Sequence, residues 1–173
     1  MYELPTANAG RDSIILQGGN LTLTPIVTGR NLTYFWSGTP APENLSSKVV
    51  KNPIASPVED ITYKLVVTGI GGCLAPADFV FIKVLKDPVV PNTFTPNNDG
   101  NHDTWEIKYL ESYPDNRVQI FTRTGQLIFE SKRYLKPWDG TYNGKSLPID
   151  TYYYIIEPGS GRKSIAGFVT IIK

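Results

Sequence analysis

Short runs of alternating apolar and polar residues, separated by turn-forming residues, cover most of this sequence. A typical run is 61–68 (ITYKLVVT), and the turn residues Gly71 and Gly72 follow it. No stretch of a dozen residues spaces its apolar side chains three and four apart, as an amphipathic helix requires. Because successive side chains of a strand point to opposite faces, the alternation predicts short, half-buried strands joined by tight turns. We therefore predict an all-β protein built as two tandem β-sandwich domains.

The charge balance limits the partners that the chain can bind. Lys and Arg total 17, Asp and Glu total 16, and neither sign is concentrated in one block. Binding to nucleic acid is driven by phosphate neutralisation and needs a concentrated basic face, so we expect no nucleic-acid partner. No hydrophobic run approaches the roughly 20 residues that cross a bilayer, so we expect no transmembrane segment.

Length and proline content predict where the domains divide. A chain of 173 residues suits one large domain or two small ones. The segment KDPVVP carries two prolines in six residues, which is typical of a short, stiff connection. We therefore place one β-sandwich at residues 1–86, a proline-rich linker at 87–91 and a second sandwich at 92–173.

In the first unit, the run 32–37 (LTYFWS) predicts a strong central strand with Trp36 filling the core, and 78–85 is the predicted last strand.

Cys73 is the only cysteine, so no disulfide can form within the chain. The first ten residues lack the apolar core of a signal peptide. If the protein is exported, we expect this sequence to be part of a longer polypeptide.

The second unit carries its own strand and turn signals. They lie at 105–107 (WEI), 143–144 (NG), 151–156 (TYYYII) and 165–172 (IAGFVTII). The Asn-Gly pair is the strongest short signal for a two-residue hairpin. Within the last strand, which we expect to continue to Lys173, Gly167 is predicted to lie where a bulky neighbour needs room.

The stretch 91–105 (PNTFTPNNDGNHDTW) lies between these two sets of strands. Its centre, NNDGNHD, consists of seven residues that are all polar or glycine. Asn, Asp and Gly tolerate left-handed backbone angles and bond to their own turns, so we predict a rigid, structured loop here.

The same loop is a candidate calcium site. Asp99, Asn101 and Asp103 alternate, with Asn97 in support, and calcium prefers hard oxygen ligands at alternating positions around a tight turn. The pattern lacks the glutamate that an EF-hand places at its twelfth position, where Leu110 stands here. The alternative is a network of Asx turns that fixes the loop through its own backbone.

Catalysis has little support in the sequence. The only histidine, His102, and the only thiol, Cys73, fall in different predicted units, and neither has a motif that would arrange a base or an oxyanion hole. We therefore predict that the protein is not an enzyme.

The tyrosines of TYYYII are candidates for a sugar-stacking platform. Tyr152 and Tyr154 share one face of the predicted strand, whereas Tyr153 and Ile155 take the other. One of these faces must belong to the core, so at most half of the set is open to a ligand, and packing is the favoured interpretation.

Four blocks of the second half carry a family resemblance. They are PNTFTPNNDGNHDTWEI, VQIFTRTGQLIFES, PWDGTYNGKSLPIDTYYYII and GFVTIIK. In this order, over about residues 91–173, they resemble the gliding-motility-associated C-terminal domain of Bacteroidota, also called the type B sorting domain of the type IX secretion system. Thr122 departs from the usual Asn of the family, and Asn98 from the usual Gly or other small residue. More loosely, ANAGRD and TYKLVVTGIGGC resemble PKD and Ig-like repeats of bacterial surface proteins.

The resemblance implies a sorting function for residues 92–173. The Sec pathway would first move the protein to the periplasm. The type IX machinery, with a PorP-like outer-membrane barrel protein as partner, would then pass it to the cell surface or the medium. Residues 1–86 would be the last spacer of a longer adhesin or surface enzyme.

A sorting signal that a receptor binds must be rigid, because ordering a flexible segment weakens binding. We therefore place the candidate recognition surface on the polar loop, on a corner at 138–140 (WDG), or on the exposed edge of the last strand. The candidate residues in the loop and the corner are Thr95, Asn97, Asp99, Gly100, Asn101, Asp103, Asp139 and Gly140. The alternative for the corner is that Asp139 caps its turn and Trp138 fills the core.

A binding module is the alternative function. Two tandem sandwiches also suit an adhesin that binds a glycan or a surface, with calcium making the loop rigid. Export of a fused reporter distinguishes the two functions.

Overall fold

The computed structural model describes residues 4–172, and almost every regular element in that part of the chain is a strand. The chain divides into two compact units, Met1–Lys86 and Asp87–Lys173. Among the described residues, no helix is long and apolar enough to cross a membrane. The expected all-β fold is therefore confirmed.

Eight strands form the first unit over its described residues, 4–86. They are β1 (Thr6–Asn8), β2 (Ser13–Leu16), β3 (Leu21–Thr22), β4 (Ile26–Thr28), β5 (Thr33–Thr39), β6 (Ile54–Ala55), β7 (Ile61–Thr68) and β8 (Asp78–Leu85). The main sheet has the order β2-β8-β7-β5, and two small sheets pair β1 with β4 and β3 with β6. A 3-10 turn, Ile70–Gly72, connects β7 towards β8.

The core of the first unit contains Trp36, as predicted. The Trp36 side chain is fully buried and donates its indole N–H to the carbonyl of Val50 at 3.2 Å. Its strand, however, is not central: β5 pairs only with β7 and lies at the edge of the sheet, so that prediction is wrong. The run looks central because it is strongly apolar, yet Phe35 is half exposed and the backbone N–H of Trp36 bonds to Lys48 in a covering loop.

In the part of the second unit that the structure describes, 87–172, there are seven strands. They are β9 (Thr93–Phe94), β10 (Arg117–Phe121), β11 (Leu127–Lys132), β12 (Thr141–Tyr142), β13 (Lys145–Ser146), β14 (Thr151–Glu157) and β15 (Ile165–Ile171). The main sheet has the order β11-β10-β14-β15-β9, and β12 and β13 form a separate hairpin. A 3-10 turn spans Leu110–Ser112.

The last strand is inside this sheet and not at its edge. β15 pairs antiparallel with β14 from Ile165 to Thr170, and on its other side β9 pairs in parallel with Thr170 and Ile171. The expectation of an exposed last strand therefore holds only for the part that β9 does not reach. The predicted continuation to Lys173 lies outside the described residues.

Residues 105–107 do not begin a strand, contrary to prediction. Trp105 makes a single antiparallel bridge with Trp138, and the chain then runs into the 3-10 turn. The reason is that Trp105 lies fully buried in the core, where its aromatic packing and not a sheet ladder determines its position.

Two local predictions in the second unit are confirmed. Asn143 and Gly144 have φ angles of 51° and 76° and connect β12 to β13, as a two-residue hairpin of the primed type requires. Gly167 faces Tyr154 across the strand pair, and a Cβ at Gly167 would lie 2.5 Å from the Tyr154 hydroxyl oxygen.

The residues predicted as a linker are held by the second unit. Val89 exchanges two backbone hydrogen bonds with Lys108, at 3.0 and 3.1 Å. Asp87 forms an ion pair with Arg162, and the carbonyl of Pro91 accepts the indole N–H of Trp105 at 2.7 Å. The segment 87–91 is therefore the first part of the second sandwich.

Candidate functional site

The loop from Thr95 to Asp103 is organised around the carboxylate of Asp103. Its Oδ1 accepts the backbone N–H groups of Asn97 at 3.0 Å and Asn98 at 2.6 Å. Its Oδ2 accepts the N–H of Gly100 at 2.8 Å. Three backbone donors of one turn therefore share a single anionic acceptor, and hydrogen bonds to an ionised acceptor are stronger than neutral ones.

These bonds lower the pKa of the Asp103 carboxyl below its usual value. The N–H of Gly100 makes the largest contribution, and the N–H groups of Asn98 and Asn97 add to it, while partial desolvation acts in the opposite direction. Hydrogen bonds to the charged form favour that form, so Asp103 is ionised at neutral pH.

Two further side chains of the loop, those of Asp99 and Asn97, also accept hydrogen bonds from its backbone. Asp99 Oδ1 accepts the N–H of Asn101 at 2.8 Å, and Asn97 Oδ1 accepts the N–H of Asp99 at 3.1 Å. The base of the loop is closed by Thr95, whose N–H donates to the carbonyl of His102 at 2.9 Å. The network of Asx turns that the sequence offered as the alternative to calcium is thus present.

This geometry does not fit a calcium ion without rearrangement. Calcium requires six to eight oxygens directed at one point, whereas the oxygens of Asp103 face backbone donors and Asp99 Oδ2 accepts the side-chain N–H of Asn97 at 3.0 Å. Within residues 4–172, no three His, Cys, Asp or Glu side chains form a group that could hold a metal. Calcium at Asp99, Asn101 and Asp103 stays a prediction, and binding would require these hydrogen bonds to be replaced.

Within the corner at 138–140, Trp138 belongs to the core, whereas Asp139 accepts hydrogen bonds from its own turn. Trp138 is buried and packs against Phe94, with ring centroids 5.3 Å apart, and against Tyr152 at 5.7 Å. Asp139 Oδ1 accepts both the hydroxyl of Thr141 at 2.7 Å and the N–H of Thr141 at 3.0 Å. The hydroxyl bond is the main cause of a lowered pKa at Asp139.

The corner and the loop are in contact. Gly140 has a φ of +74°, and a Cβ there would lie 3.1 Å from Pro96 Cγ and 3.3 Å from the Phe94 ring. Because Phe94 and Pro96 lead directly into the polar loop, the close approach at Gly140 fixes the loop's first residues against Trp138. The structure therefore brings the two predicted recognition features together on one part of the domain.

Tyr134 supports this arrangement, and no sequence motif points to it. Its hydroxyl donates to the carbonyl of Trp105 at 2.6 Å and accepts the backbone N–H of Trp138 at 2.9 Å. Burial raises the pKa of the Tyr134 phenol well above its usual value. The only signal in the sequence was an aromatic residue shortly before the corner, which does not specify a bond across 29 residues.

A shallow groove of about 390 Å³ lies beside the loop. It is lined by Val89, Pro91, Thr93, Phe94, Thr95, His102 and Lys108. His102 and Lys108 are the residues with titratable side chains in this lining.

The fold defines a class of tandem Ig-like β-sandwich proteins. Among similar solved structures, one titled Rst D1-D2 has a TM-score of 0.55 at 11% identity and covers 98% of this chain and 99% of that chain. Titin domains I67–I69, an Ig structure, give 0.55 at 11% identity, with 96% and 64% covered. The D00-D0 domain of intimin gives 0.52 at 9% identity, with 98% and 100% covered. At these identities the likeness establishes the fold alone. No curated protein matches the chain.

Residues 89–171 match the family model of the CHU_C type IX secretion signal domain. The second unit of this chain belongs to that family, as its sequence blocks predicted. A secretion signal of the type IX system implies interaction with that machinery and export to the cell surface or the medium. Secretion signal domains and Ig-like sandwiches are both non-catalytic kinds of domain.

Proposed function

We propose that the second unit is a type B sorting signal that an outer-membrane partner reads as a folded domain. The observation that supports it is the polar loop, which is held by Asp103 and fixed to the core through Gly140. A preorganised surface loses less conformational entropy when it binds than a flexible one, so a loop of this kind suits recognition by a receptor.

The proposed recognition surface consists of the loop and the corner beside it. Its residues are Thr95, Asn97, Asp99, Gly100, Asn101, Asp103, Asp139 and Gly140. Most of the polar side chains in this set bond to the loop's own backbone, and most of the loop is exposed to solvent. A partner would therefore meet a surface whose shape is already determined.

The proposed route has two stages. The Sec pathway delivers the protein to the periplasm, and the type IX machinery then transfers it across the outer membrane. The proposed receptor is a PorP-like barrel protein, and the proposed source is a gliding bacterium of the Bacteroidota. The first unit would serve as a spacer between the signal and an adhesin or enzyme upstream.

A reporter export experiment tests the proposal. The full 173-residue chain is fused to the C-terminus of a periplasm-targeted fluorescent protein in a gliding bacterium with a type IX system. We expect fluorescence on the cell surface or in the medium, and we expect it to be lost in a strain that lacks the secretion machinery. Retention of the fusion in the periplasm of both strains would contradict the proposal.

An adhesin-type binding module is the second candidate function. Phe35, Phe79 and Phe81 are 50%, 56% and 38% exposed. The strand register places them on one face of the first unit's main sheet, together with Lys64. Exposed aromatic rings on a flat sheet face suit stacking against a sugar. This candidate predicts binding to a glycan array that is lost on replacing Phe79 with Ser, and no dependence of export on the second unit.

A further inference from the structure

The strand β15 has a bare edge over most of its length. β14 pairs with all of β15 from Ile165 to Thr170, but β9 pairs only with Thr170 and Ile171. In the described part of the chain, the five residues 165–169 therefore have a strand neighbour on one side only.

The register determines which backbone groups face this bare edge. Thr170 donates its N–H to the carbonyl of Asn92 on the β9 side, whereas Ile171 donates its N–H to the carbonyl of Asp150 on the β14 side. Alternate residues of a strand direct their backbone groups to opposite sides. Ala166 and Phe168, which precede Thr170 by four and two residues, therefore direct their N–H and C=O groups towards the bare edge.

This edge lacks the features that normally prevent strand pairing. Proteins protect exposed sheet edges with charged side chains, prolines or bulges. The opposite edge strand of the same sheet, β11, carries the exposed Glu130 and Lys132. The segment 165–169 reads IAGFV, with no charge and no proline, and its pairing with β14 is regular.

A row of aromatic side chains leads across the outer sheet face to the same edge. Phe121 on β10 is opposite Tyr153 on β14, and Tyr153 is opposite Phe168 on β15. Tyr153 is 46% exposed and Phe168 is 52% exposed. Ile155, which is 38% exposed, lies beside this row and opposite Ala166. The bare backbone and an apolar outer face therefore meet at Phe168.

We propose that the edge at 165–169 receives an extended, uncharged, apolar segment of the secretion machinery, which adds to the sheet as a further strand. This inference rests on the proposed sorting function and adds a second contact to the proposed surface on the loop and the corner. Backbone bonds to Ala166 and Phe168 supply affinity, and apolar side chains of the added strand cover Phe168 and Ile155. A strand is the occupant because its free backbone groups can pair in register with those of Ala166 and Phe168, whereas a helix uses its backbone groups internally.

A second copy of this chain is a poorer occupant. Antiparallel pairing of two such edges would involve about ten residues in total, whereas stable interfaces use about 20–30 residues on each side. The edge therefore suits one element of a larger contact with another protein.

The test uses the reporter fusion of the full chain with four substitutions. Phe168→Pro removes a backbone N–H that faces the bare edge, and Ala166→Lys places a charge beside it. Phe168→Tyr retains both the N–H and the ring. Leu127→Lys adds the same charge at a 38% exposed position of β11, the opposite edge strand.

We expect Phe168→Pro and Ala166→Lys each to reduce surface fluorescence about tenfold or more, because loss of strand addition weakens binding by at least that factor. Phe168→Tyr and Leu127→Lys should stay within about twofold of the unchanged fusion. The Tm of each purified variant shows whether it folds. If the proline variant does not fold, the export of Ala166→Lys tests the inference, because this substitution changes only an exposed side chain.

The possible outcomes separate the inference from the function on which it rests. If the unchanged fusion is not exported, the sorting function is wrong and the inference fails with it. If the unchanged fusion is exported and Ala166→Lys is exported equally well, the edge inference is wrong and the sorting function stands. A stable dimer of the purified chain that Ala166→Lys dissociates would make a second copy the occupant and overturn the proposal.

Discussion

Asp103 takes the place in its loop that a bound anion takes in a nest of backbone N–H groups. Its two carboxylate oxygens satisfy the N–H groups of Asn97, Asn98 and Gly100, which the turn would otherwise leave to water. The anion is thus part of the chain, and the loop keeps its shape without a ligand.

Replacing Asp103 with Asn should loosen the loop. Asn has no charge and only one acceptor oxygen, so we expect a lower Tm and faster amide hydrogen exchange at Gly100. Asp99→Asn is the matched control, because Asp99 accepts only one backbone N–H, from Asn101, and should change the exchange at Gly100 much less. Unchanged exchange at Gly100 in Asp103→Asn would contradict the role given to this carboxylate.

The same carboxylate predicts a pH dependence. The pKa of Asp103 is lower in the folded chain than in the unfolded chain, so its ionised carboxylate stabilises the fold fully above the unfolded-state pKa of about 3.9. This stabilisation is lost as the pH falls through the folded-state pKa. The difference in Tm between the unchanged chain and Asp103→Asn should therefore be constant from pH 7 to about pH 5 and shrink below about pH 4. Thermal scans across this range measure it, and a difference that grows on acidification would refute the assignment.

Tyr134→Phe tests the hydroxyl that hydrogen-bonds to backbone groups of the two buried residues Trp105 and Trp138. Removing it leaves the carbonyl of Trp105 and the N–H of Trp138 without this partner in a buried setting, which should cost about 1–3 kcal/mol. Urea unfolding measures the change in free energy. Tyr153→Phe removes a hydroxyl from a side chain that is 46% exposed and should be nearly neutral. Equal stabilities of the two variants would show that the buried hydroxyl is not important.

At the scale of elements, the close approach of β14 and β15 depends on Gly167. The ring of Tyr154 packs against Trp105 with centroids 5.0 Å apart, so it cannot easily move away from an added Cβ. Gly167→Ala should therefore destabilise the chain by about 1–3 kcal/mol, as overpacking generally does.

A double-mutant cycle checks this prediction. Tyr154→Phe removes the oxygen that is 2.5 Å from the added Cβ and should recover part of the loss in Gly167→Ala. Ala166→Ser, at the neighbouring exposed position, serves as the control. Strictly additive free energies in the cycle would mean that the two side chains do not interact.

Two strands of the first unit were predictable to the residue. Ile61–Thr68 and Asp78–Leu85 were both predicted correctly, because one face of each is buried and the other is not. The edge position of β5 was not predictable, since an apolar run does not reveal whether a loop or a strand covers its far side. Trp105 was assigned to a strand for a similar reason: burial in a core and burial in a sheet use the same residue types.

The sequence predicts which residues form the candidate loop, but it does not predict which of them bond to one another. The polar and glycine residues at 97–103 identify a structured loop, because few other sequences tolerate its left-handed angles at Asn98 and Gly100. Which side chain would organise it was open, since Asp99 and Asp103 look alike in sequence. The contact of Gly140 with Pro96 joins positions more than 40 residues apart and depends on the packing of the whole core.

At the scale of the whole molecule, the calcium prediction can be tested directly. An ion at Asp99, Asn101 and Asp103 would have to replace hydrogen bonds that already satisfy both carboxylates. If calcium binds there, the Tm of the full chain should be higher in millimolar calcium than with a chelator, and equal values would contradict the calcium prediction. A rise of several degrees in calcium would show that the loop rearranges around an ion.

The position of β15 in the sheet order has a consequence for synthesis. This strand is the last of its unit to leave the ribosome, yet it joins β14 to β9 in the middle of the fold. A polypeptide that stops short of β15 leaves β9 without its partner and cannot complete the sheet. If the domain is recognised in its folded form, as we propose, recognition requires that β15 has been synthesised, so copies terminated before β15 would not be exported.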